Sequence, residues 1–207
     1  MAVRKDAILL MDTDIVSLMG RFKPPPGLRP WLLRVGIHRL ALCYPVIAEL
    51  LRGAHLRMKD DPQRALLITN WVDELISMAF PFPEMTADVA TIYAKMTSVP
   101  SLRDMWTVQR DQKSNRLGHD LMISSVAIAH RMPILTANVD DFLKINEHFP
   151  LPGIYHPMKS LWYVVPGFKV QIPYFDPSEP DPHQNDLPKL PKATSACSSS
   201  RPKNESP

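Results

Sequence analysis

Two cysteines in 207 residues are too few for a disulfide framework or a zinc cluster, and they sit in unrelated settings: Cys43 in an apolar run, Cys197 in a Ser-rich tail. Such scarcity fits a reducing, cytoplasmic compartment. Long apolar runs are missing too. None approaches the roughly 20 residues that cross a bilayer, so no membrane association is expected. The apolar run from Ala7 to Met11 follows Arg4 and Lys5 but is stopped by Asp12, too soon for a signal peptide. No Gly-rich phosphate loop occurs, which argues against nucleoside-triphosphate chemistry. No serine or cysteine stands in a recognisable nucleophile setting, and there is no internal repeat.

What is present begins with Ile8 to Met19. An apolar run ends in Asp12-Thr13-Asp14 and resumes with helical spacing at Ile15, Leu18 and Met19. This predicts a buried strand that delivers a carboxylate to its C-terminal edge, the edge where open α/β sheets bind ligands. The plainer alternative is an N-cap for the helix that follows. A helix over Asp14 to Gly20 is stopped by Gly20 and Pro24-Pro25-Pro26-Gly27, and Pro30 fits the first turn of the next. Arg39 to Tyr44 reads as a second buried strand. Pro45 then opens a helix towards Met58, in which Glu49 is a carboxylate among apolar neighbours, needing a partner if it is buried. Helices are expected over Ala65 to Ala79 and Glu84 to Met96, and a polar, basic surface loop with some helix over Val99 to Leu117. Asp120 heads a further apolar helix to Arg131. Met132 to Thr136 is a short strand that ends in Asn138, Asp140 and Asp141.

Beyond Phe149 the composition changes: twelve of the 22 prolines lie at or after Pro150, so long elements are excluded there. Ile154-Tyr155 is expected as an edge strand. The domain boundaries implied are 1–158 for an α/β domain and 159–207 for a Pro-rich extension, largely irregular, with Leu161 to Pro166 or Phe168 to Ile172 as short extended segments against the domain, and disordered from about residue 177. The net charge of +3 identifies no partner alone, but residues 1–60 carry ten Lys/Arg against five Asp/Glu, whereas residues 61–100 carry two against five.

Asp12, Glu49, Asp120 and Asn138, with Asp141 nearby, all offer oxygen from strand ends or helix starts. Gathered without a counter-ion they would repel one another and raise their pKa values. A hard divalent cation such as Mg²⁺ or Mn²⁺ removes that conflict, and a water it activates can attack phosphorus.

These segments carry a family resemblance. Leu-Leu-Met-Asp12-Thr-Asp14-Ile-Val-Ser, Ile-Ala-Glu49-Leu-Leu-Arg-Gly, His-Asp120-Leu-Met-Ile-Ser-Ser-Val-Ala and Leu-Thr136-Ala-Asn138-Val-Asp-Asp141-Phe resemble, in order, the motifs of PIN domains, closest to VapC-type toxins and their FitB-like branch. The resemblance covers about residues 7–158. It implies a PIN-like α/β fold with a central parallel sheet of about five strands flanked by helices, and a Mg²⁺- or Mn²⁺-dependent endoribonuclease that acts as the toxin of a toxin–antitoxin pair. It further implies a cognate antitoxin and a homodimer.

By the same resemblance Asp12, Glu49 and Asp120 match the metal-site carboxylates, and Asn138 the fourth catalytic position. Thr136, Asp14 and Asp141 support the site, although Asp14 stands where Asn or Ser is usual. Arg52, Arg110, Lys113 and Arg116 are candidates to hold the RNA backbone, each equally explained as a solvated surface charge. The competing readings are a catalytically weak PIN module that binds RNA or protein, and a nuclease acting on DNA.

Overall fold

The run before Asp12 does form a strand, and its burial explains why. Leu9, Leu10 and Met11 are wholly inaccessible to solvent because parallel strands lie on both sides and helices cover both faces. The computed structural model describes residues 3–4, 7–107, 119–181 and 187–191. In chain order the elements are β1 (Val3–Arg4), β2 (Leu9–Met11), α1 (Thr13–Gly20), α2 (Leu28–Val35), β3 (Leu40–Ala41), α3 (Tyr44–Arg57), α4 (Pro62–Ser77), α5 (Ala87–Thr97), α6 (His119–His130), β4 (Ile134–Leu135), α7 (Val139–Asn146), β5 (Ile154–His156), β6 (Leu161–Val164) and β7 (Lys169–Val170).

The main sheet has five strands in the order β3-β2-β4-β5-β6. β2 pairs in parallel with β3 and β4, and β4 with β5; β6 is antiparallel to β5. This is an α/β fold with a mostly parallel sheet flanked by helices. α3 packs on α4 and α6, and α5 on α6. Helix starts follow local chemistry: Asp61 accepts from the Arg64 amide at 2.9 Å with Pro62 next in line, and Thr86 caps α5 through the Val89 amide. Among the described residues no helix is long and apolar enough to cross a membrane.

Three expectations about the end of the chain change. Ile154-Tyr155 is not an edge strand, because β6 adds itself outside β5 and makes it interior. For the same reason the sheet runs past residue 158. β7 makes a separate two-stranded parallel pair with β1. Residues 187–191, expected to be disordered, are packed on the domain with Leu187 wholly buried, and residues 177–181, also expected to be disordered, are mostly exposed but tied to it through Arg29–Asp181 and Arg34–Glu179. The packed chain therefore reaches Pro191, and residues 192–207 lie outside the described residues.

The path between β7 and residue 181 is held by its backbone carbonyls. Arg39 Nη2 donates to Gln171 O at 2.8 Å, Trp31 Nε1 to Pro173 O at 2.9 Å and Arg34 Nη2 to Tyr174 O at 2.9 Å. Trp31 stacks on Tyr155 and meets Phe175 at a tilt, so this strap is continuous with the core. Gly27 makes room for it: at φ +76° it takes a backbone conformation that side chains disfavour, and a Cβ there would lie 2.1 Å from Asp176 O.

Candidate active site

Asp12 follows β2 directly and is both things the sequence allowed. Its Oδ1 accepts from the Thr13 amide at 2.6 Å as the cap of α1, and the residue also stands at the C-terminal edge of the sheet. There the ladder carries on past the strands: the Asp12 amide bonds Leu135 O, and the Thr136 amide bonds Tyr155 O. Asp12 and Thr136 are thus side by side, and Thr136 Oγ1 donates to Asp12 Oδ2 at 2.8 Å.

Asp14, one residue into α1, reaches across to the start of α7. Its Oδ2 accepts from the amides of Ala137 at 2.7 Å and Asn138 at 2.9 Å, a favourable position for an anion at a helix start. Its other oxygen, Oδ1, is buried and meets no N–H or hydroxyl donor, and the Asp12 and Asp14 carboxyls lie close enough to bond each other through a shared proton. Burial pushes the Asp14 carboxyl above its ordinary range even though those amides pull it down. Asp12, only 4 % exposed, is pushed well above the usual carboxylate range by burial first, then by the charges of Asp14 and Asp120. The charges felt at Asp12 are therefore of its own sign.

Glu49 on α3 has a different environment. Its Oε2 accepts from Thr13 Oγ1 at 2.6 Å and lies 3.2 Å from His119 Nδ1. Burial pushes Glu49 up, but the bonds from His119 and Thr13 and the charges of His119 and Arg52 outweigh it and hold the carboxyl below its ordinary value. Thr13 adjoins Asp12 and His119 adjoins Asp120, so one carboxylate ties together the elements that bring all three acidic positions to the same sheet edge. Asn138 turns its side chain elsewhere: Nδ2 donates to Asp141 Oδ2 at 2.9 Å. Arg52 lies one helical turn from Glu49, whereas Arg110, Lys113 and Arg116 fall outside the described residues.

As they stand, no three His, Cys, Asp or Glu side chains among the described residues converge closely enough to hold one ion. The donor chemistry nevertheless suits a hard divalent cation: buried carboxylate oxygens of one sign, with no N–H or hydroxyl donor on Asp14 Oδ1. Those oxygens belong to Asp12 and Asp14, with Asp120 near enough for its charge to be felt at Asp12. Beside them a cavity of about 280 Å³ opens between α1, α3 and α4, with Thr13, Ser17 and Glu49 at its polar end and Leu50, Ile68 and Trp71 along its walls.

The chain is similar to several solved proteins. VapBC2 from Rickettsia felis, in complex with a promoter DNA fragment, shares 16% identity at a TM-score of 0.48, over 82% of this chain and 99% of that one. VapBC-1 from nontypeable Haemophilus influenzae shares 18% identity at 0.47, over 68% and 93%. FitAcB from Neisseria gonorrhoeae shares 17% at 0.43, over 82% and 98%. No family model matches the chain, and no curated protein matches it.

Two residues of the site were not singled out as site members from sequence. Thr13 lies between the two aspartates and lends its hydroxyl to Glu49, a role that its place in an Asp-Thr-Asp triplet does not announce. His119 shows in the sequence only as the neighbour of Asp120, and its attachment to Glu49 depends on a contact across seventy residues of chain.

Proposed function

We propose that this chain is a PIN-type, metal-dependent endoribonuclease and the toxin of a toxin–antitoxin pair. The observation that carries the reading is the burial of Asp12 and Asp14 together, near Asp120, at the C-terminal edge of a parallel sheet. Burying like charges costs stability, and a cation at that edge offsets the cost while serving the reaction.

In this reading Asp12 and Asp120, with Asp14, hold Mg²⁺ or Mn²⁺. Such an ion, when bound, supplies charge neutralisation at phosphorus and a water of lowered pKa. Thr136 fixes the orientation of Asp12, and the start of α7 fixes Asp14. Glu49, held ionised by Thr13 and His119, orients water at the opening. Arg57, which lines the cavity, and Arg52, one turn from Glu49, attract the RNA backbone. The motif resemblance adds a cognate antitoxin and a homodimer.

The test is cleavage of a single-stranded RNA by the purified chain with Mg²⁺, with EDTA, and with Asp120→Asn. Cleavage that needs Mg²⁺ and is lost in the variant, with urea unfolding unchanged, is the expected result. Equal cleavage in all three conditions would overturn the reading. A binding module of low metal affinity is favoured by one observation, the engagement of Glu49 with His119 and Thr13 in place of the Asp12 group. It predicts no rise in unfolding stability at millimolar Mg²⁺, where a resident ion would produce one.

A further inference from the structure

We propose that residues 187–191, Leu-Pro-Lys-Leu-Pro, are a self-docked peptide, and that the groove receiving them is a recognition site for a proline-rich segment of this pattern, whose occupancy walls one side of the approach to Thr13 and Glu49. Hydrogen bonding to the segment runs through its backbone. Trp71 Nε1 donates to Pro188 O at 2.9 Å, Arg64 Nη1 to Pro191 O at 2.8 Å, and Arg29 to Pro188 O and Leu187 O. Among the described residues the segment's backbone donates through the Leu190 amide, which bonds Gly20 O at 2.9 Å. Proline offers a carbonyl and no competing N–H, and indole or guanidinium donors that read such carbonyls are a general means of holding proline-rich peptides.

Anchor spacing agrees. Leu187 and Leu190, at 0 % and 9 % exposed, are three residues apart, the interval at which an extended proline-type helix returns to the same face. The receiving surface is shaped for the segment as well. A Cβ on Gly20 would come 2.2 Å from the Trp71 ring, so the glycine lets that indole lie against the end of α1 with its N–H turned to the peptide. Lys189 and Arg29 both engage Asp181, which pins the segment to the strap before it.

Leu190 lines the same cavity as Thr13 and Glu49, so the docked segment forms one side of the space beside the acidic site. Ordering five residues costs roughly what a few hydrogen bonds and two buried leucines return, which makes the docking exchangeable rather than permanent. The recognition itself is independent of the nuclease reading and is measured without RNA.

The probe is a fluorescein-labelled synthetic peptide that spans residues 186–192. It is titrated by anisotropy into the full-length wild type and into full-length Leu187→Asp/Leu190→Asp, in which the resident segment is driven out. The double variant is expected to take up the peptide at least tenfold more tightly than the wild type, and adding Trp71→Phe to it weakens uptake several-fold. In the unmodified chain the Leu190 amide is expected to exchange at least tenfold more slowly than in the free peptide. Equal uptake by the two proteins, no uptake by a folded double variant, or free-peptide exchange at Leu190 would overturn the proposal. If the double variant does not fold, the Leu190 measurement on the wild type decides alone.

Discussion

Arg29 and Asp12 are both withdrawn from water, at 0 % and 4 % exposed, yet their surroundings are opposite. Arg29 is met by acceptors on several sides: the carbonyls of Met19, Leu187 and Pro188 and the carboxylate of Asp181 at 3.0 Å. Asp12 has donors in Thr13 and Thr136, but the charges around it are those of Asp14 and Asp120. A buried ion whose donors or acceptors are all met is a structural device. One surrounded by its own sign is strain kept for a purpose, and at this sheet edge the purpose proposed is a cation.

The comparison breaks most sharply at Asp12. If it serves a metal site, Asp12→Asn lowers RNA cleavage by about 10⁴-fold, the scale of removing one essential group from an acting set. Unfolding stability should hold or rise, because a like charge has left the cluster. A fall in urea-unfolding stability, or cleavage within tenfold of wild type, would erase the distinction from Arg29.

Arg29→Met is the converse. It keeps the bulk and strands several buried carbonyls and one carboxylate, so a loss of about 3–5 kcal/mol is expected in urea unfolding. A loss below about 1 kcal/mol would mean that water satisfies those acceptors once the cation is gone.

The acidic cluster also makes a pH prediction with a definite sign. Asp12 and Asp14 titrate above their unfolded values, so the folded chain keeps protons that the unfolded chain has released. Their contribution to stability is then unpenalised below the ordinary carboxylate range and falls as pH rises through the raised values. In EDTA the wild type should therefore lose stability relative to Asp12→Asn as pH is raised from about 4 towards neutrality, a range set by the usual Asp value of about 3.9. Mg²⁺ at a hundredfold excess over its dissociation constant restores about 2.7 kcal/mol. Parallel pH curves for the two proteins would refute the raised carboxyls.

The two regions also differ in how far they could be read from the sequence. The acidic edge was legible because each part is local: an apolar run that stops at Asp12, a strand before Glu49, Thr136 and Asn138 two residues apart. What stayed hidden there was which carboxylates share a charge environment, since Asp14 turns to the α7 start and Glu49 to His119 through contacts distant in sequence. The strap was illegible for a physical reason. Its composition lacks the apolar content that orders a segment by itself, and its order depends on side chains more than a hundred residues away, such as Trp31 at Pro173 O and Trp71 at Pro188 O. The sheet's far edge was half legible: Leu161 to Pro166 reads as a short extended segment, but nothing in Ile154-Tyr155 says that it will fold back outside that strand.

The smallest effect is expected at Arg34, which holds the same strap as Arg29 but from the surface. Its side chain is 40 % exposed, and although Nη2 lies 2.7 Å from Glu179 Oε2, that oxygen makes no aligned hydrogen bond. Water can replace the guanidinium at Tyr174 O and solvate Glu179, so no acceptor is left stranded. Arg34→Ala should cost about 0–1 kcal/mol in urea unfolding, the range for exposed ion pairs, and that small cost should shrink further in high salt. A loss approaching that of Arg29→Met would show that position on the strap, and not burial of the cation, sets the energy, and the contrast drawn from Arg29 and Asp12 would lose its basis.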